Sequence, residues 1–206
     1  MEFKNVTLVC IDCLNYMKAI RAILKSVEQI EFKEVLFLTD KSFSNPNFKT
    51  VIIDKIESKE EYSKFMITEL GKYIETSHCL VIQYDGYVIN PNLWTDEFLK
   101  YDYIGSPWWY DSDNVGNGGF SLRSKKLLEV LEYYIEEGII DLNDIKTYHP
   151  EDDRICREYG SMLKHDAGIN FAPEHIAAKF SFEPNNKYKE FKNNTFGFHG
   201  IGQLIL

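Results

Sequence analysis

The chain has 206 residues, 44% of them hydrophobic and 27% charged, a globular composition long enough to bury one sizeable core, so residues 1–206 are expected to form a single domain. A formal net charge of -9 without any basic block excludes non-specific binding to nucleic acid or to an anionic membrane, because both depend on clustered Lys and Arg. The same acidity would repel a phosphate-bearing substrate unless a divalent cation were recruited beside it.

In chain order, Asn5–Ile11 reads as a buried strand. Its apolar run Val6–Ile11 gives way to Asp12 and is too short for a signal-peptide core or a bilayer span, so no transmembrane segment and a cytoplasmic location are expected. Cys10 and Cys13 make one C-x-x-C pair. Lacking a second pair or two well-placed histidines, they read as buried thiols flanking a strand end. Leu14, Met17, Ile20, Leu24 and Val27 then recur at helical spacing.

Val35–Leu38 and Thr50–Ile53 predict two further strands, separated by the turn-rich Asn45-Pro46-Asn47. Tyr62, Phe65, Leu70, Tyr73 and Ile74 mark a second helix, and Cys79–Gln83 a fourth strand. Strands alternating with helices imply an α/β fold with a mostly parallel central sheet flanked by helices, whose ligands gather at the carboxyl ends of the strands. Asp12, Asp40 and Gln83–Gly86 should lie along that edge. Beyond it, a loop is expected over Ser106–Gly119, a strand at Phe120–Leu122, a helix from Ser124 to about Glu137, and another after His149-Pro150.

Five segments have residue types suited to chemistry. Gln83-Tyr84-Asp85-Gly86 follows a strand and ends in a common turn pair. It reads either as a plain turn or as an acid placed to hold a divalent ion against a diphosphate. Gly116-Asn117-Gly118-Gly119 is either a glycine bulge at a strand entrance or a place where free backbone amides meet a polar ligand. It lacks the ending of a phosphate-binding P-loop. Pro150-Glu151-Asp152-Asp153 reads either as a helix start stabilised by its acids or as the source of a general base whose proton affinity its acidic neighbours adjust. Phe196-Gly197-Phe198-His199-Gly200 sets one histidine between glycines, where it is structural or a metal ligand. Trp108-Trp109-Tyr110 is core packing or an aromatic platform under a sugar or base.

Taken in order, Tyr62-Ser63-Lys64-Phe65, Thr76-Ser77-His78, Gln83-Tyr84-Asp85-Gly86, Asp102–Trp108, Gly116–Arg123, Glu151-Asp152 and Phe196–Gly200 resemble a family of small GT-A-type glycosyltransferase domains, often catalogued as a domain of unknown function. The resemblance runs from about Val6 to Gly200, and the octet Gly116–Arg123 is its most specific part. It implies a nucleotide-diphospho-sugar transferase fold and a hexosyl- or deoxyhexosyl-transferase using a nucleotide-diphospho-sugar donor. The base would be uridine rather than guanosine, by analogy of fold.

The family's D-x-D-like motif falls on Gln83-x-Asp85, so an amide replaces the first acid. Gln83 can bond a ribose hydroxyl but adds no charge to a cation. The resemblance makes Asp85 and His199 the metal ligands, for Mn²⁺ or Mg²⁺, with imidazole favouring the transition metal. Asp152 becomes the base of an inverting reaction, with Glu151 holding the acceptor. Asp12, Lys64, Gly118 and Gly119 become donor contacts, and Trp108 and Trp109 acceptor contacts. A surface polysaccharide, a lipid-linked glycan met by peripheral association, and a protein glycan all suit as acceptor. The competing expectation is a non-catalytic sugar-nucleotide or glycan-binding module on the same fold, which the altered Gln83 would permit.

Overall fold

The computed structural model describes residues 1–109, 115–141, 150–185, 188–192 and 194–200. Tyr110 of the aromatic segment and His149 before the late helix lie outside them.

A six-stranded sheet in the order β3-β2-β1-β4-β7-β6 forms the frame, from β1 (Glu2–Ile11), β2 (Glu31–Thr39), β3 (Lys49–Ile52), β4 (His78–Ile82), β6 (Tyr103–Pro107) and β7 (Val115–Ser124). Strands β1 to β4 pair in parallel, while β7 runs antiparallel to both β4 and β6. Alternate side chains go to opposite faces, as the two-residue strand period requires. Leu8, Cys10, Leu80, Ile82, Phe120 and Leu122 face α1 (Tyr16–Val27) and α6 (Glu174–Phe180). Val9, Ile11, Leu36, Leu38, Cys79 and Val81 face α2 (Lys59–Thr68) and the α3 helix (Lys125–Glu136). The expected mostly parallel α/β sheet, covered by helices on both faces, is present.

Helix α1 buries Ala19, Ala22, Ile23 and Ser26, whereas Met17 is 72% exposed and Leu14, just before the helix, 59%. The apolar spacing located the helix, and Ile20 and Val27 pack against the core as expected, but the fully buried positions other than Ile23 are small ones that let the helix lie close to the sheet. Ser26 Oγ accepts the Val88 amide at 3.2 Å, tying α1 to the short strand β5 (Gly86–Val88).

Two local expectations are corrected. Gly116–Gly119 belongs to β7 and not to a loop, since the ladder to β6 begins at Val115. The second helix stops at Thr68 and is followed by a separate 3₁₀ turn, Leu70–Tyr73. The late helix starts as expected, with α4 (Glu151–Asp153) running into a π-helical turn at Arg154–Glu158; α5 (Gly160–His165) follows.

A second sheet, order β5-β9-β8, adds β8 (Ser181–Phe182) and β9 (Gly197–His199). Gly86 pairs with His199, and Phe182 with Phe198. Three segments far apart in sequence therefore end at one level beside the carboxyl end of β4.

Candidate active site

A cavity of about 640 Å³ opens at the carboxyl ends of β1 and β4, within the roughly 300–1,000 Å³ usual for small-molecule sites. Asp12, Gln83, Asp85, Gly119, Glu151, Asp152 and His199 line it, so most of the sequence-predicted site residues share one space. Among the described residues, the lining carries the acids Asp12, Glu57, Glu60, Asp85, Glu151 and Asp152 against Lys59 and His199. A diphosphate entering that field needs a compensating cation.

One wall is closed by a buried charged network, in which Arg123 Nη1 alone of that guanidinium has no hydrogen-bond partner among the described residues. Arg123, wholly buried on β7, donates to Glu151 Oε1 at 2.9 Å and to Ser121 Oγ at 3.1 Å, and lies over the Tyr103 ring. The Glu151 amide donates in turn to Ser63 Oγ on α2 at 3.2 Å. Asp152, the next residue, accepts the Gly118 amide at 2.7 Å while keeping its place on the cavity lining. Burial raises the Asp152 pKa to about 7 and the Glu151 charge pushes the same way, against the opposing Gly118 and Asp153 amides and Arg123.

The other wall is open. Asp85 is 6% exposed, and its Oδ1 has no hydrogen-bond partner among the described residues besides the His199 imidazole. His199 Nε2 lies 3.3 Å from that oxygen and 3.2 Å from Gln83 Oε1, while Nδ1 lies 3.1 Å from Glu183 Oε2. Burial disfavours a charged imidazole here, but hydrogen bonding and charge from Asp85 and Glu183 outweigh it and raise the His199 pKa to about 10.

This wall fits a divalent ion. A buried carboxylate oxygen short of partners is costly, and adjacent ligands of a six-coordinate ion with bonds of about 2.1 Å stand about 3 Å apart, near the spacings seen. Among the described residues no cluster of three His, Cys, Asp or Glu could hold a metal alone, so Asp85 and His199 would need Gln83 or donor oxygens to complete the shell.

The glycines separate the two walls. A Cβ at Gly119 would sit 2.1 Å from His199 Nε2, and one at Gly118 2.6 Å from Glu151 Oε1. Consecutive strand residues face opposite ways, so the pair gives room to the imidazole on one side and to the acids on the other. Their amides are not free for an anion, because Gly118 N–H goes to Asp152 and Gly119 N–H to Asn117 Oδ1.

Other expected contacts lie elsewhere. Asp12 borders the cavity, but its Oδ1 accepts the Leu14 and Asn15 amides at 2.7 and 2.5 Å and shapes the turn into α1. Lys64 is exposed and off the lining, whereas Lys59, Tyr62 and Ser63 are on it. The i, i+3, i+4 spacing of those three is the signal that would have selected the right face. Trp108 packs into the cluster around Tyr103 and Cys156, its ring over Gly116. Trp109 is 67% exposed, and neither tryptophan lines the cavity. Glu183 and Arg123 had no assigned role, and the Glu183 position depends on the long-range pairing of β8 with β9.

The family model described as a protein of unknown function, DUF5672, matches residues 45–199. The chain belongs to this family. No curated protein matches it in sequence. Among solved structures it is similar to a glycosyltransferase involved in glycosylation of the major capsid of PBCV-1, with a TM-score of 0.58, 13% identity, and 96% of this chain and 93% of that one covered. It is also similar to the galactosyltransferase LgtC in complex with donor and acceptor sugar analogs, at TM-score 0.56, 15% identity, and 96% and 87% coverage. Glycosyltransferase GlyE of Streptococcus pneumoniae TIGR4 matches at TM-score 0.55 and 12% identity, 97% of this chain lying on 55% of that one. The DUF5672 chain thus has the GT-A glycosyltransferase fold. Among its described residues no helix is long and apolar enough to cross a membrane.

Proposed function

We propose that residues 1–206 form one metal-dependent glycosyltransferase domain that moves a sugar from a UDP-sugar to a hydroxyl of a glycan acceptor with inversion. The observation that carries this reading is the buried Asp85 Oδ1, whose one partner among the described residues is His199 Nε2 at 3.3 Å, in a cavity whose other wall presents Asp152. Mn²⁺ or Mg²⁺ held by Asp85 and His199 would supply positive charge for the donor diphosphate and the leaving group.

The protein's own residues do the rest. Asp152 takes the proton of the acceptor hydroxyl as its oxygen bonds to the anomeric carbon and the bond from that carbon to the diphosphate breaks, releasing UDP. A carboxylate with a pKa of about 7 is a far better base than an ordinary aspartate and is still substantially ionised at neutral pH. The Gly118 amide aims it by holding one oxygen. Glu151, committed to Arg123, fixes the start of α4 and keeps a like charge beside Asp152. Gln83 offers its amide to a ribose hydroxyl or its oxygen to the ion. Of the two tryptophans, Trp109 is the more exposed, and stacking on an acceptor sugar would fall to it.

The test is release of UDP from a panel of UDP-sugars, with GDP-sugars as controls, in Mn²⁺, in Mg²⁺ and in EDTA. Metal-dependent UDP release is expected, with β-linked product from an α-linked donor by proton NMR. Metal-independent turnover, or none with any donor, contradicts the proposal, and a retained anomeric configuration removes inversion.

A further inference from the structure

The imidazole of His199 is placed from three sides. Its floor is the missing side chain of Gly119, where a Cβ would come within 2.1 Å of Nε2. The chain after it turns at Gly200, whose φ of 112° is open to glycine, and the Gly200 amide donates to the Asp85 carbonyl at 3.1 Å. The third side is Glu183. Ser181 pairs with Gly197 and Phe182 with Phe198, so the same register carries Glu183 level with His199, and Gly86 of β5 meets His199 from the other flank. The small sheet sets Gly86, His199 and Glu183 in one row, with Asp85 immediately before it.

A histidine that ligates a metal through one nitrogen must hold its proton on the other, and the partner of that second nitrogen decides which is which. Glu183 Oε2 stands 3.1 Å from Nδ1, with both side chains 17% exposed. Among the described residues Glu183 ion-pairs with this histidine and with no lysine or arginine. Nε2 faces Asp85 and Gln83. We propose that Glu183 is a positioning residue that accepts the Nδ1 proton of His199 and so turns the Nε2 lone pair toward Asp85 and the donor diphosphate. This rests on the reading of Asp85 and His199 as metal ligands. Glu183 acts through His199 and contacts neither donor nor acceptor.

The experiment is calorimetric titration of Mn²⁺, with UDP present, into the full chain and into Glu183→Gln, Glu183→Ala, His199→Ala and the Glu183→Ala/His199→Ala double variant. Melting in EDTA checks that each is folded. Glu183→Ala should weaken Mn²⁺ binding by about 10–100-fold, the usual cost of losing such a partner. Glu183→Gln, whose amide oxygen still accepts the Nδ1 proton, should recover part of the loss. In the His199→Ala background, removing Glu183 should cost less than twofold, because its effect passes through the absent ring. Wild-type affinity in Glu183→Ala, or an equal loss in both backgrounds, overturns the proposal. If the wild-type chain binds no Mn²⁺ even with UDP, the metal-site reading itself fails.

Discussion

The two walls of the cavity hold carboxylates of the same kind in opposite conditions. On the β7 and α4 side, Glu151 and Asp152 are held by Arg123, Ser63 and Gly118. On the small-sheet side, Asp85 is equally buried, yet one of its oxygens has only an imidazole nitrogen at 3.3 Å for company. A buried acid with its partners in place is part of the protein's own architecture, and one with fewer of them is costly to bury. On the proposed reading the first wall would tune a base and the second would hold an ion.

Breaking the closed wall should have the largest effect. Asp152→Asn should lower transfer by about 10²–10⁴-fold while UDP affinity changes less than twofold, because the lost group acts on the acceptor proton and not on the donor. Steady-state kinetics and UDP titration read the two halves separately, and equal losses in both would put Asp152 in donor binding. Arg123→Ala should cost about 3–5 kcal/mol of stability, visible as a fall in the urea midpoint, since Glu151 would be left charged, buried and unpaired. An unchanged midpoint would mean that Glu151 finds water or a proton instead.

Gly119→Ala sharpens the comparison from the open side. The methyl group meets the imidazole, so metal-supported UDP binding should fall about tenfold or more while Asp152 keeps its place.

The pH dependence belongs to the closed wall. The Asp152 pKa in the folded chain, about 7, lies above its ordinary 3.8, so ionising this group opposes folding. Its contribution to stability declines as pH rises from about 4 to about 7 and is flat beyond. Turnover, which needs the ionised form, rises over the upper part of that window. A kcat/KM profile with its acid limb near pH 7 is expected, and a limb near pH 4 would assign the base to an unperturbed carboxylate. The smallest effect is expected at exposed Lys64, where Ala should change donor affinity less than twofold.

The parallel frame was legible because β1, β2 and β4 are near-continuous apolar runs buried on both faces, a pattern that survives without tertiary information. The start of β7 was not, because Gly116, Gly118 and Gly119 bring no side chains to show alternation, and that segment is a strand only through its ladder with β6. The face of α1 was only partly legible: Ile20 and Val27 reach the core, but full burial goes to the small Ala19 and Ala22 while Met17 is exposed. In the site, Asp85, Gln83 and His199 stood out by their place beside glycines and a strand end. Glu183 carried no such local sign, for its role follows from a strand pairing across many residues. Lys64 entered through the resemblance, whereas helical periodicity puts its neighbours Tyr62 and Ser63 in the cavity.

The most direct measurement is calorimetric titration of UDP into the protein with and without Mn²⁺, repeated on Asp85→Asn. The account predicts binding that requires Mn²⁺ and is lost in the variant, because Asp85 Oδ1, met among the described residues by His199 alone, is what the ion would satisfy. UDP binding that is indifferent to Mn²⁺, or that survives Asp85→Asn, would contradict it.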